Sequence, residues 1–208
     1  MSLKDNIKAV AIDLFSRSGI KRVSMNDIAR KANVSKRTLY DFFSDKESLL
    51  VEMLQEISEP FSRYMKSLEE TSYTALEIIL LLNEKMVEKP TWFCEEFFED
   101  IKRYPNALRL MLDIKKQFIY KIVKLLKRGE KEAVFMSDIN YDLISIIAHK
   151  EYIINETSDI YTRYTHEEIH NTIFYIFLRG ISTNAGREII DGFVTKKKYK
   201  SNNIQGIN

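Results

Sequence analysis

The sequence predicts an all-α protein: a three-helix N-terminal head built on a helix-turn-helix, carrying a larger helical domain, with about nine helices in total. Three observations predict it. Only six Gly and three Pro interrupt 208 residues, of which 45% are hydrophobic and 30% charged, a balance suited to a globular helical chain rather than a sandwich or a disordered polymer. Apolar residues recur at i, i+3, i+4 and i+7 through most of the chain. Hydroxyl or polar residues followed three positions later by an acid stand at the heads of several of these runs, a signature of helix starts.

Ile7, Val10, Ala11, Leu14 and Phe15 form one apolar face of a first helix ending near Gly19. Ser24 with Asp27, flanked by Val23 and Ile28, combines a capping box with a hydrophobic staple and starts a short second helix running to about Lys31. Asn33 suits the left-handed backbone of a tight turn. Ser35, with Val34 and Leu39 as its staple, then caps a third helix over about 35–43. Two short helices across a tight turn make a helix-turn-helix, whose second helix lies in the major groove of DNA.

On that third helix Leu39, Phe42 and Phe43 point inward, while Arg37, Thr38, Tyr40 and Asp41 spread over the outer face. Lys36 and Arg37 occupy its first turn, where base edges are met, and a guanidinium can take guanine O6 and N7 together. Thr38, Tyr40 and Lys46 suit phosphate oxygens, and Ser24 joins them as a DNA-contact candidate. Residues 1–46 hold ten Lys and Arg against five Asp and Glu, whereas the rest of the chain holds 22 against 25. The positive charge therefore gathers where phosphates would lie. Ser44 with Glu47 predicts the start of a long fourth helix.

The stretch VSMNDIARKANVSKRTLYDFFSDKESLL closely resembles the signature of the TetR family of transcriptional regulators, over about the first 55 residues. The resemblance implies that Thr38, Tyr40 and Lys46 contact phosphates and that Lys36 and Arg37 approach bases. It also implies a double-stranded DNA operator, a homodimer closed by two long helices of each subunit, and a small-molecule inducer. Asn33 stands where the family usually has Gly, a departure that the turn tolerates.

Further helices are expected at about 72–88, 91–102, 105–128, 138–156 and 166–186, bounded by Pro90, Pro105, Gly129 and the loop from Thr157 to Thr165. Functionally, the chain divides into a DNA-binding domain over 1–46, a ligand-binding and dimerisation domain over 47–195, and a disordered basic tail over 196–208. Trp92, Phe93, Phe97, Phe98, Tyr104, Met111 and Phe118 are candidates for the lining of a pocket suited to an apolar or amphipathic ligand; the same residues would equally serve as core. Leu143, Ile147, Ile173, Phe177, Gly180 and Ile181 are candidates for the dimer contact, with ordinary intramolecular packing as the alternative.

An enzyme is not expected. His166-Glu167-Glu168-Ile169-His170 matches the spacing of a zinc protease helix, but it sits in the first turn of a helix that Thr165 caps in a box with Glu168, and lacks an extended metal-binding continuation. No phosphate loop, nucleophile elbow or cysteine-rich zinc spacing is present, so neither a cofactor nor a metal is expected. Cys94 is the single cysteine, which excludes an intrachain disulfide. With no apolar run of about 18 residues, the expectation is a cytoplasmic regulator, ligand-responsive and repressing; its alternative is a regulator whose larger domain binds a protein or no ligand.

Overall fold

The computed structural model describes residues 2–88, 93–151 and 163–205. Among the described residues there are ten α-helices, one 3-10 turn and no strand. They are α1 (Leu3–Ser18), α2 (Met25–Lys31), α3 (Lys36–Phe42), α4 (Lys46–Glu69), α5 (Ala75–Glu88), α6 (Glu95–Asp100), α7 (Pro105–Lys131), α8 (Tyr141–Glu151), α9 (His166–Ile181) and α10 (Asn184–Gln205). The 3-10 turn, Ile101–Arg103, follows α6.

The chain folds into two compact units. The first comprises 1–64 with 89–117, and the second 65–88 with 118–208. In the first unit, Ile7, Phe15, Ile28, Leu39, Phe43, Leu49 and Met53 make one core with Cys94, Phe97, Ile101 and Ala107. The head is thus completed by side chains from α6 and α7, far along the chain. These units are defined by packing, a different criterion from a functional division at residue 46.

The predicted caps explain where the helices begin. Ser24 and Thr165 head reciprocal capping boxes with Asp27 and Glu168, each satisfying amide groups that a helix start leaves bare. Ser2 does the same for α1 with Asp5. At α4 the cap lies one residue later than the spacing predicts: Ser48 N–H donates to Asp45 Oδ1 at 2.7 Å. Glu47 is thereby released, and its carboxylate accepts the Asn106 N–H at 2.6 Å, capping α7 instead.

In the second unit, α5 packs against α10 and α9 against α10. Apolar spacing predicts one helix over 166–186, but the chain breaks it into α9 and α10. The reason is a backbone lock: Met136 N–H donates to Ile181 O at 2.9 Å and Thr183 N–H to Val134 O at 3.1 Å. Extending Ser182 and Thr183 to make these bonds ends α9, and Thr183 then caps α10 through Gly186 N–H at 3.2 Å. Gly186 is required there, because a Cβ would collide with the Val134 carbonyl. Instead of a disordered tail from residue 196, α10 continues to Gln205. Neither Gly nor Pro interrupts the chain between Phe193 and Gln205, so nothing in the backbone chemistry stops the helix.

Candidate nucleic-acid interface

The turn between α2 and α3 carries Asn33 at φ 57, the left-handed conformation that side chains other than Gly and Asn avoid. Ala32 N–H donates to Ile28 O at 2.8 Å and Val34 N–H to Ala29 O at 3.0 Å, closing α2 while the chain reverses. Ser35 then accepts Thr38 N–H at 3.0 Å, starting α3. Leu39 and Phe43 are buried and hold the helix by one side. Its opposite side faces solvent.

That exposed side bears Lys36, Arg37 and Tyr40. Among the described residues Arg37 makes no hydrogen bond or ion pair, so its five donors are available to a ligand. Lys36 Nζ lies 5.8 Å from the centroid of the Tyr40 ring, a cation–π approach that keeps both at the surface. Thr38 is half-buried, and its hydroxyl shares a 2.8 Å hydrogen bond with Ser35.

Ion pairing separates the cations of the head. Lys4, Lys8, Arg17, Arg22, Arg30 and Lys31 all face carboxylates. Lys21, Lys36 and Arg37 have no such partner among the described residues. The first-turn cations of α3 therefore face solvent with no carboxylate beside them among the described residues, as phosphate or base contacts need.

Two candidates are engaged elsewhere. Lys46 is half-buried, with its ammonium donating to Ile20 O at 2.5 Å and lying 5.7 Å from the Phe15 ring centroid. Burial pulls its pKa below the ordinary lysine value, against the opposing influence of Asp100 and Asp27. It ties α4 to the loop after α1. Ser24 Oγ donates to Asp27 Oδ2 at 2.6 Å while accepting Asp27 N–H at 3.2 Å, so its hydroxyl serves the cap.

The head is bound to the segment from Cys94 to Asp100 by two hydrogen bonds that the sequence did not signal, one backbone to backbone and one from a backbone amide to a carboxylate. Cys94 N–H donates to Ser16 O at 2.9 Å, and Lys21 N–H donates to Asp100 Oδ2 at 2.6 Å. Gly19, at φ 72, makes room for them: a Cβ there would stand 2.8 Å from Glu96 Cβ. The positive φ that Gly tolerates is the only trace of this junction in the sequence. Cys94 is buried, and burial raises its thiol pKa, in keeping with an apolar packing role.

Of the pocket candidates, Trp92 lies outside the described residues. Phe97 is fully buried in the first unit's core, and Phe93, Tyr104 and Met111 pack against that core. Phe93 and Phe97 stack with centroids 4.1 Å apart. Phe98 is exposed, and Phe118 is half-buried. Four of these side chains thus fill the body behind the head. Their regular helical spacing reads alike for a core and for a pocket wall, and only the partners across the interface separate the two.

On the second unit, Leu143 is 52% exposed and Ile147 37%, while Ile173 and Phe177 are half-buried. Gly180 is open, with nothing among the described residues within 4 Å of where a Cβ would stand, so no close approach among them accounts for it. Ile181, by contrast, is buried: it sits beside the lock that ends α9. The histidine pair is not an exposed metal-like site either. His170 is buried, and its Nε2 lies 2.8 Å from Asn83 Oδ1, while Asn83 Nδ2 donates to Asn171 at 3.2 Å. The described residues contain no group of three or more His, Cys, Asp or Glu placed to hold a metal ion.

Comparisons with known proteins agree with this geometry. The sequence model for bacterial regulatory proteins of the tetR family matches residues 7–53. An HTH-type transcriptional regulator of Staphylococcus aureus strain USA300 is 26% identical over 170 residues, covering 73% of this chain and 90% of that protein. Among solved structures, the TetR family protein CprB from S. coelicolor A3(2) matches with a TM-score of 0.73 at 20% identity, over 93% of this chain and 95% of its own. A regulator from Saccharomonospora viridis, solved in complex with choline, matches with a TM-score of 0.69 at 19% identity, over 87% and 98%. A helix-turn-helix whose reading helix holds its cations toward solvent, together with the family match over residues 7–53, makes this head a DNA-binding domain of the tetR type, and the chain as a whole is similar to HTH-type transcriptional regulators.

Proposed function

We propose that the protein is a ligand-responsive repressor that binds a palindromic operator as a homodimer. The observation that carries this reading is the unpaired Arg37 beside Lys36 on the solvent face of α3. In this reading Lys36 and Arg37 meet base edges, Thr38 and Tyr40 meet phosphates, and Lys46 and Ser24 hold the elements that present them. Residues 1–46 form the reading head, and 47–195 form the ligand-binding and dimerisation domain.

Dimerisation is supported by the exposed apolar side chains Leu143 and Ile147 on α8 and by the open Gly180 on α9. Two heads joined in this way roughly double the phosphate contacts and read both half-sites of a palindrome. An inducer must bind two conformations with different affinity in order to release DNA. Similar structures include a γ-butyrolactone receptor and the choline complex; both support a small-molecule inducer by analogy, and the aromatic and Met candidates suit an apolar or amphipathic one. The protein acts by binding rather than catalysis, in the cytoplasm, and no described helix is long and apolar enough to cross a membrane.

Fluorescence anisotropy with duplexes tiling the DNA beside the gene, against random competitor, tests the reading. Selective, salt-sensitive binding is expected, with Arg37→Ala weakening it by about 1–3 kcal/mol, roughly fivefold to 150-fold. Affinity no better than for random DNA across the genome would overturn it. The packing of Phe93, Phe97, Tyr104 and Met111 against the first unit's core favours a second reading at that place, a regulator whose larger domain takes a protein or no ligand. A screen in which no small molecule releases the operator would support it.

A further inference from the structure

The long helix α7 carries eight Lys and Arg against two acids, Asp113 and Glu130, in a chain whose net charge is only +2. The residues outside this helix therefore carry a net negative charge. Within it the cations are ordered: Arg109, Lys116, Lys124 and Lys131 recur every seven or eight residues, and all four are exposed. At 100° per residue they fall within one arc of roughly 80°, about 10–12 Å apart along the axis. Tyr120, 71% exposed, stands between Lys116 and Lys124 on the same arc.

The local counter-charges do not neutralise this row. Arg109 donates to Asn106 Oδ1 at 2.8 Å, a neutral partner. Asp113 is the one acid of α7 on the arc, and half-buried Glu130 lies roughly 40° outside it. A fifth exposed cation on the arc, Lys127, is paired at 2.8 Å with Asp142 of the neighbouring α8. Lys116, Lys124 and Lys131 have no carboxylate partner among the described residues.

We infer that the outer face of α7 is a second, sequence-independent contact for duplex DNA, binding phosphates. A spacing of about 10–12 Å compares with the roughly 12 Å width of the major groove, so successive side chains can reach phosphates on both of its walls. Leu112 and Tyr120 are the exposed large apolar residues on the helix, too little to insert into a lipid surface. The site reads no base edge; its role is to add affinity that depends on salt, holding DNA beyond the operator or a separate segment of it. This inference rests on the reading of the protein as DNA-binding.

The test uses full-length protein in which Tyr120 or, separately, Tyr40 is replaced by the photocrosslinker p-benzoylphenylalanine, irradiated with a 30-base-pair random-sequence duplex at about 0.1 M salt. Crosslinks at both positions are expected, with the one at 120 lost in K116E/K124E/K131E while the one at 40 persists. Without crosslinker, that triple variant should lower the slope of log affinity against log salt by about three, near 0.9 per lost phosphate contact. Crosslinking at 40 alone overturns the α7 site and leaves the head intact; crosslinking at neither overturns both. Crosslinking at 120 alone supports the α7 site and removes the head from the reading. An unchanged salt slope in a triple variant that melts like the parent also overturns it, as does binding to phosphatidylglycerol vesicles, and not to duplex, that the triple variant loses.

Discussion

Arg37 and Asp27 lie in adjoining helices and do opposite things with their charge. Arg37 is left without a partner and so is available to DNA, whereas Asp27 is spent on the local backbone. Hydrogen bonds from the Ser24 hydroxyl and then from its backbone N–H hold the Asp27 carboxyl below the ordinary value of 3.8. A carboxyl lowered by folding stabilises the fold above its unfolded pKa, and that contribution is lost as pH falls through the folded value. Thermal melts from about pH 5 down to about pH 2 should therefore show a shallower acid loss for Asp27→Asn than for the parent. Equal slopes would mean that the cap contributes nothing to acid stability. Asn33 is the third informative residue: its left-handed backbone was legible from its chemistry, because the turn between two capped helices leaves few residue types able to adopt it.

At the scale of elements, two glycines near the α9–α10 junction make opposite predictions. Gly186 faces the Val134 carbonyl, and Ala there must push apart the lock between residues 134–136 and 181–183. Gly186→Ala should cost about 1–3 kcal/mol in urea unfolding, as overpacking does. At Gly180 a methyl meets nothing among the described residues, and Gly180→Ala should strengthen α9 by roughly 1 kcal/mol through helix propensity alone. If Gly180 lies in the proposed dimer contact, the same change weakens self-association in sedimentation velocity. A more stable protein with unchanged association would take Gly180 out of that contact. The break between these helices was not legible because the apolar stripe continues across it; the bonds that impose it come from a segment some 50 residues earlier.

For the molecule as a whole, the head is not a self-sufficient three-helix unit. Phe97 is fully buried among residues of α1, α3 and α4, so its truncation removes packing from the helices that carry the reading surface. Phe97→Ala should cost about 3–5 kcal/mol in urea unfolding. It should also weaken DNA binding, although the side chain lies on the inner side of the head. A loss below about 1 kcal/mol would show that α6 only rests on the head.

The amino-acid sequence determined the local structure: the caps at Ser24, Ser35 and Thr165, the turn at Asn33, the periodicity of α1 to α4, and the tetR-type head. Caps, turns and apolar faces depend on residues within about one or two turns of each other, so their chemistry is complete in a short window. Only the tertiary structure decided that Lys46 turns inward to Ile20, that Phe93 and Phe97 fill the body behind the head, that His170 pairs with buried Asn83, and that α9 stops at Ile181. Each of those outcomes depends on a partner tens of residues away, and the same lysine, aromatic or histidine has the same local spacing whether its partner is protein, ligand or water.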